Sequence, residues 1–139
     1  MIFTIKIKLL FGTFAENHWE STIELDSKTT LEDLHFIIQD IVEFDYDHLY
    51  EFFISRTPTS RDKVRFDDEN EKLYSTTLEN LFPLDKGRNL YYLFDYGDHW
   101  LFRVSKNRYS IKEPVSMEDF PRMIEESGER PEQYPAWEE

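Results

Sequence analysis

The chain has 139 residues, 40% hydrophobic and 17% aromatic, and its 16 Lys and Arg face 29 Asp and Glu, for a formal net charge of −13. That length suits a single domain over 1–139, and 12 Phe, 8 Tyr and 3 Trp supply the ring area for a packed core. The acidic field disfavours nucleic acid and anionic membrane surfaces as partners, and the absence of cysteine removes disulfides, thiolate metal sites and Cys nucleophiles.

The N-terminus alternates instead of forming the apolar block of a signal peptide, and no run approaches the ~18 apolar residues of a membrane span. A soluble, cytoplasmic protein is the expectation. Residues 2–11 read as a strand, with Ile5, Ile7 and Leu9 on one face and Thr4, Lys6 and Lys8 on the other. Gly12-Thr13 breaks it. A second alternating run from Trp19 to Leu25 completes an N-terminal hairpin.

The period then changes. Leu31, Leu34, Ile37, Ile38, Ile41 and Val42 recur at helical spacing, which predicts a helix over about 30–41. Thr29 followed by Glu32 matches a capping box. His48 to Ile54 reads as a third strand with apolar residues on both faces, hence central to the sheet. The polar stretch 55–70 is expected as a surface loop, with room for a short strand at Val64-Arg65-Phe66. Thr77 to Phe82 predicts one helical turn ended by Pro83, and Asp85-Lys86-Gly87 a turn.

The aromatic stretch from Tyr91 to Phe102 predicts a hairpin around Tyr96-Gly97-Asp98, its second strand running from Trp100 to Val104. Here Gly97 is expected at positive φ, with Asp95 and Asp98 capping backbone N–H groups and Trp100 anchored in the core. Within 114–139 the pattern of Phe120, Met123 and Ile124 predicts a short helix, with Pro121 in its first turn and Gly128 as its C′ residue. A Pro-rich strap follows, its Tyr134 and Trp137 expected to pack back on the domain. The order of elements suggests an α+β fold like the ubiquitin-like β-grasp, a mixed β-sheet packed on one main helix, with a short C-terminal helix and an extended tail.

Three stretches are similar to one known family: Leu31-Glu32-Asp33-Leu34-His35-Phe36-Ile37-Ile38-Gln39, His48-Leu49-Tyr50-Glu51-Phe52, and Phe94-Asp95-Tyr96-Gly97-Asp98-His99-Trp100. The last is close to a "YDFGDxW" signature, and Gly128 with Arg130 to Pro135 resembles the family's C-terminal ending. The chain thereby resembles the Ri-plasmid ORF-3-like family, a largely uncharacterised group also described as insertion-element passenger proteins. It departs from the family at Phe102, where a His is frequent, and in lacking a clear acidic-Gly-Gly ending. The resemblance implies no established chemistry.

The candidate site is Asp95, Asp98 and His99, with His48 and His35 as further candidates. Two carboxylates and an imidazole suit a divalent metal or general-base chemistry, but no HExxH-type spacing occurs. Tyr96, Gly97 and Trp100 then read as a structural signature, and His35 and His48 as half-buried packing residues. Arg103, Lys106, Arg108 and Lys112, with Tyr109 between, are the main basic run, set against the acidic total. No cofactor and no resident metal are expected. Surplus aromatics point to a protein partner, so the leading expectation is a non-enzymatic interaction or accessory module. The alternatives are an enzyme at the Asp95, Asp98 and His99 turn and a nucleic-acid accessory protein of a mobile element.

Overall fold

The computed structural model describes residues 1–13, 17–108 and 120–134. In chain order the elements are β1 (Ile2–Phe11), β2 (Trp19–Asp26), α1 (Leu31–Val42), β3 (Tyr50–Ser55), β4 (Val64–Phe66), α2 (Lys72–Ser75), α3 (Leu78–Leu81), β5 (Asn89–Phe94), β6 (Trp100–Lys106) and β7 (Arg122–Gly128). The strands form one seven-stranded sheet in the order β4-β3-β5-β6-β1-β2-β7. Each adjacent pair is antiparallel. An α+β architecture is thus present, but the sheet is antiparallel rather than mixed. A ubiquitin-like grasp sets its first and last strands side by side and parallel, whereas here β1 lies antiparallel between β2 and β6, and the last described strand, β7, pairs with β2.

Alternation sorts the side chains into two layers. Ile5, Ile7, Ile23, Phe52, Tyr92, Phe94, Trp100 and Phe102 project to the face covered by Leu31, Leu34, Ile38 and Val42 of α1, and together they form the main core. Phe53, Tyr91, Leu93 and Leu101 form a smaller buried cluster on the opposite face. Phe52 and Phe53 are both buried, although β3 is not central as expected but second from the edge, flanked by β4 and β5. The short strand at 64–66 pairs with β3, placing Phe66 opposite Phe52.

The cap of α1 is shifted by one residue from the expected box. Thr30 is the N-cap, its hydroxyl accepting from the Asp33 N–H at 3.2 Å, while the Thr29 hydroxyl donates to the Asp26 carbonyl at 2.6 Å. A reciprocal box does cap α3, between Thr77 and Asn80.

The C-terminal helix is not formed over the described part of its range. Residues 122–128 are β7, paired with the open edge of β2, and 114–119 lie outside the described residues. Three apolar residues cannot nucleate an isolated helix, whereas the free backbone of β2 offers a full ladder of hydrogen bonds. All seven residues of β7 are exposed, and its Arg and Glu side chains suit an edge. Gly128 is needed for a different reason from the one expected. It has φ +84°, and a Cβ there would lie 1.9 Å from the His18 carbonyl oxygen.

Candidate functional site

The Asp95 turn closes one end of the sheet between β5 and β6. Positive φ falls on Asp95 (60°) and His99 (56°) rather than on Gly97, both residue types that tolerate the left-handed region better than most. Asp95 is buried and heavily bonded. Its N–H donates to the Leu49 carbonyl, its carbonyl accepts from His99 N–H at 2.6 Å, and its Oδ1 accepts from the Gly97 and Asp98 amides at 3.1 and 3.2 Å. The backbone capping expected of the Asp pair is therefore performed by the Asp95 side chain. Asp98 contributes its carbonyl, which accepts from the Thr13 amide at 2.8 Å and hydroxyl at 2.9 Å. His99 stands edge-on to Phe11, with ring centroids 5.4 Å apart.

Trp100, at the start of β6, is fully buried and meets Phe44 at a centroid distance of 5.0 Å. Gly12 passes so close that a Cβ there would lie 2.4 Å from Trp100 Cε3. The break that Gly12 makes in the sequence is thus a close approach of backbone to ring.

The other oxygen of Asp95 faces His48. His48 Nε2 lies 3.3 Å from Asp95 Oδ2, 3.6 Å from Asp47 Oδ1 and 2.7 Å from the Tyr134 hydroxyl. That hydroxyl donates to Asp47 Oδ2 at 2.7 Å, so the proton between ring and phenol belongs to Nε2. Gln133 completes the clamp. Its amide donates to Asp47 Oδ1 at 2.8 Å, and its Oε1 accepts from the Asp45 N–H at 2.7 Å. Burial is the largest single influence on the Asp47 carboxyl and lifts it, but the bonds from Tyr134, Gln133 and its own backbone, with the nearby His48, together outweigh it and hold the group below its ordinary value. The same bond to Asp47 pushes the Tyr134 phenol up to about 12. Tyr134 of the strap does pack back on the domain, and Trp137 lies outside the described residues.

His35 belongs to a separate network on the core side of α1. It is buried rather than half-buried, at 3% exposure, and its ring stacks on Tyr50 at 3.5 Å with 2° between planes. Nδ1 contacts the Tyr92 hydroxyl at 2.5 Å, and the Gln39 amide donates to that hydroxyl at 3.0 Å. Desolvation lowers the imidazole to about 4 and raises the Tyr92 phenol. The imidazole is therefore neutral at pH 7 and accepts the Tyr92 proton.

This network carries an aromatic surface that the sequence reading left out. Gln39 Oε1 accepts from the Tyr46 N–H at 3.2 Å. Tyr46 sits at φ 60°, an outlying conformation for a bulky residue that its surroundings must enforce. Its ring lies 5.7 Å from that of Phe36, and each is 44% exposed. The signal was available. Residues 29–55 contain seven carboxylates and no Lys or Arg, and Phe36 lies between Asp33 and Asp40 on the outer face of the helix.

Of the expected site residues, the structure brings Asp95 and His48 together. It leaves Asp98 and His99 turned to β1 and places His35 in the core. Among the described residues, no three His, Asp or Glu are grouped to hold a metal ion. The basic run is divided, with Lys106 and Arg108 lining one hollow and Arg103 turned away from it. Alternation along β6 sends Arg103 to the face of Tyr91 and Lys106 to the face of Phe3, while Tyr109 and Lys112 lie outside the described residues. No described helix is long and apolar enough to cross a membrane.

No curated protein matches the chain in sequence. A crystal structure of a protein of unknown function from Methanosarcina mazei Go1 is similar in fold, with a TM-score of 0.72 and 20% identity, over 90% of this chain and 68% of that one. The family model for plasmid pRiA4b ORF-3-like proteins matches residues 2–133, spanning the Asp95 turn, the aromatic face and the clamp as far as Gln133, and the chain belongs to that family.

Proposed function

We propose that the protein is a non-enzymatic binding module whose partner is another protein, engaged through a cationic segment at the Phe36 and Tyr46 face. The observation that carries this reading is a pair of half-exposed rings on a rigid support, set in a stretch with seven carboxylates and no Lys or Arg of its own, where Arg65 reaches Glu51 at 3.9 Å. Aromatic side chains are favoured at the centres of interfaces, and a cation over such a ring gains ~0.5–1 kcal/mol at an exposed site. The carboxylates add long-range attraction for a basic partner. The His35, Tyr92 and Gln39 bonds fix the rings beforehand, which lowers the ordering cost of association. Asp95 serves the turn, its Oδ1 accepting two backbone amides, while His48 Nε2 stands 3.3 Å from its Oδ2.

The test uses a fluorescent amphipathic peptide rich in Arg and Leu, beside a counterpart with Glu for Arg. Anisotropy should show binding of the basic peptide alone, at least tenfold weaker in Phe36→Ser/Tyr46→Asn. That double variant keeps the net charge, and Asn tolerates the left-handed backbone. Undiminished binding by the folded double variant would overturn the reading.

A further inference from the structure

At the end of the sheet opposite the Asp95 turn, the chain between α3 and β5 leaves a 560 Å³ hollow against β6. Its apolar part is Phe82, Pro83, Leu84 and Val104. Phe82 and Leu84 are only partly buried and pack against the main core, to which Val104 belongs. Arg88, Lys106 and Arg108 bring three positive charges to the same lining, and no Asp or Glu lines it among the described residues. That composition runs against the chain as a whole, in which Asp and Glu outnumber Lys and Arg 29 to 16. Three other cavities each include at least one carboxylate: Asp40 in one, Asp62 and Asp85 in a second, Glu125 in a third.

We propose that this hollow binds a small organic acid, with its apolar body against Phe82, Leu84 and Val104 and its carboxylate toward Arg88 and Lys106. The volume falls within the ~300–1,000 Å³ of small-molecule sites, which are mostly apolar with a few placed polar groups. Both cations are held near the opening by weak contacts. Lys106 Nζ lies 4.8 Å from the centre of the Phe3 ring and donates to the Asn107 carbonyl at 3.3 Å. Arg88, itself 24% exposed, donates to the Asp62 carbonyl at 3.4 Å and to Asp62 Oδ2 at 3.0 Å, but that carboxylate is 82% exposed, and solvent screening weakens such a pair. A ligand carboxylate beside an apolar wall is a better-shielded partner for the same guanidinium. A basic rim without an apolar floor would suit any anion, and the floor without the rim would suit any hydrocarbon. Their combination selects an anionic amphiphile. The site is independent of the Phe36 and Tyr46 face and stands or falls separately from it.

Octanoate, 1-octanol and octylammonium are suitable probes because they share one chain and differ in head charge. Calorimetry on the full chain, with amide shifts at Asn89 and Ser105 locating the site, should rank octanoate first and octylammonium last. Lys106→Glu should weaken octanoate at least tenfold and narrow its margin over octanol. Leu84→Trp should fill the hollow and abolish binding of both; should either variant fail to fold, Arg88→Gln reports the same loss of octanoate preference. Equal affinity for octanoate and octanol would overturn the charge argument. Failure of octanoate to shift Asn89 and Ser105 at millimolar concentration would overturn the site.

Discussion

Replacing Gly12 by Ala probes the contact that ties the first strand to the signature Trp. A Cβ at position 12 would lie 2.4, 2.7 and 3.0 Å from Cε3, Cζ3 and Cδ2 of Trp100. The indole cannot swing away easily, since it is fully buried and braced by Phe44. Forcing an extra carbon into a packed site costs ~1–3 kcal/mol, and the lower entropy of the unfolded Ala chain returns ~0.4–1 kcal/mol. A net loss of about 1–2 kcal/mol follows, which at this chain length corresponds to a fall in Tm of roughly 3–10 °C. Thermal and urea unfolding measure it. The decisive comparison is a double-mutant cycle with Trp100→Phe, which removes the benzo ring that the new methyl meets. In that background Gly12→Ala should cost less than ~0.5 kcal/mol, a coupling of about 1 kcal/mol. Additive losses would refute the close-approach account of Gly12. Trp100→Phe itself sacrifices no hydrogen bond to the described residues, because the buried indole N–H has no acceptor among them.

Gly128→Ala should be more severe, because the left-handed backbone alone costs ~1–2 kcal/mol and the neighbour at 1.9 Å is backbone; urea unfolding should show a loss above ~2 kcal/mol, and hydrogen exchange should show lost protection of the Glu129 amide that bonds to His18. His35 has a folded pKa of about 4 against 6.5 for the free group, so the unfolded chain takes up the proton first as the pH falls, and its contribution is full above pH ~6.5 and lost between there and ~4. The loss of stability from pH 7 to 4.5 should accordingly be ~2–3 kcal/mol smaller in His35→Leu than in the parent, and equal losses would place the imidazole in a more solvated setting. Gln133→Ala should raise exchange at the Asp45 amide at least tenfold while leaving the Leu90 and Phe102 amides protected, as the clamp bonds join the strap to the 45–48 loop alone.

What could be read from the sequence was what local periodicity encodes. The alternation of Ile5, Ile7 and Leu9 and the stripe from Leu31 to Val42 each bury one face, so β1, β2 and α1 were visible in outline. β7 was not, because its defining partner is the backbone of β2, about a hundred residues earlier, and three apolar residues at helical spacing suggested a different element. The antiparallel contact of β1 with β6 is equally non-local. At the site, residue types were legible and their grouping was not. Asp95 and His48 meet because β5 runs beside β3, and the contact is completed by Tyr134 from the far end of the chain. The Phe36 and Tyr46 face carries no chemical motif of its own, and its mark in the sequence is a long acidic stretch that contains no Lys or Arg.

The position of β1 between β2 and β6 also orders events in time. Its hairpin partner is complete by Asp26, but its other edge waits for Trp100–Lys106. A contact between Ile5 and Lys106 carries a large loop-closure cost, and pairings of this kind fold slowly. During synthesis the Ile5, Ile7 and Leu9 strand therefore carries an unpaired ladder for most of the chain's emergence. At high concentration the β6 of a second copy can fill that edge, which makes exchange of strands between copies the characteristic misassembly of this topology.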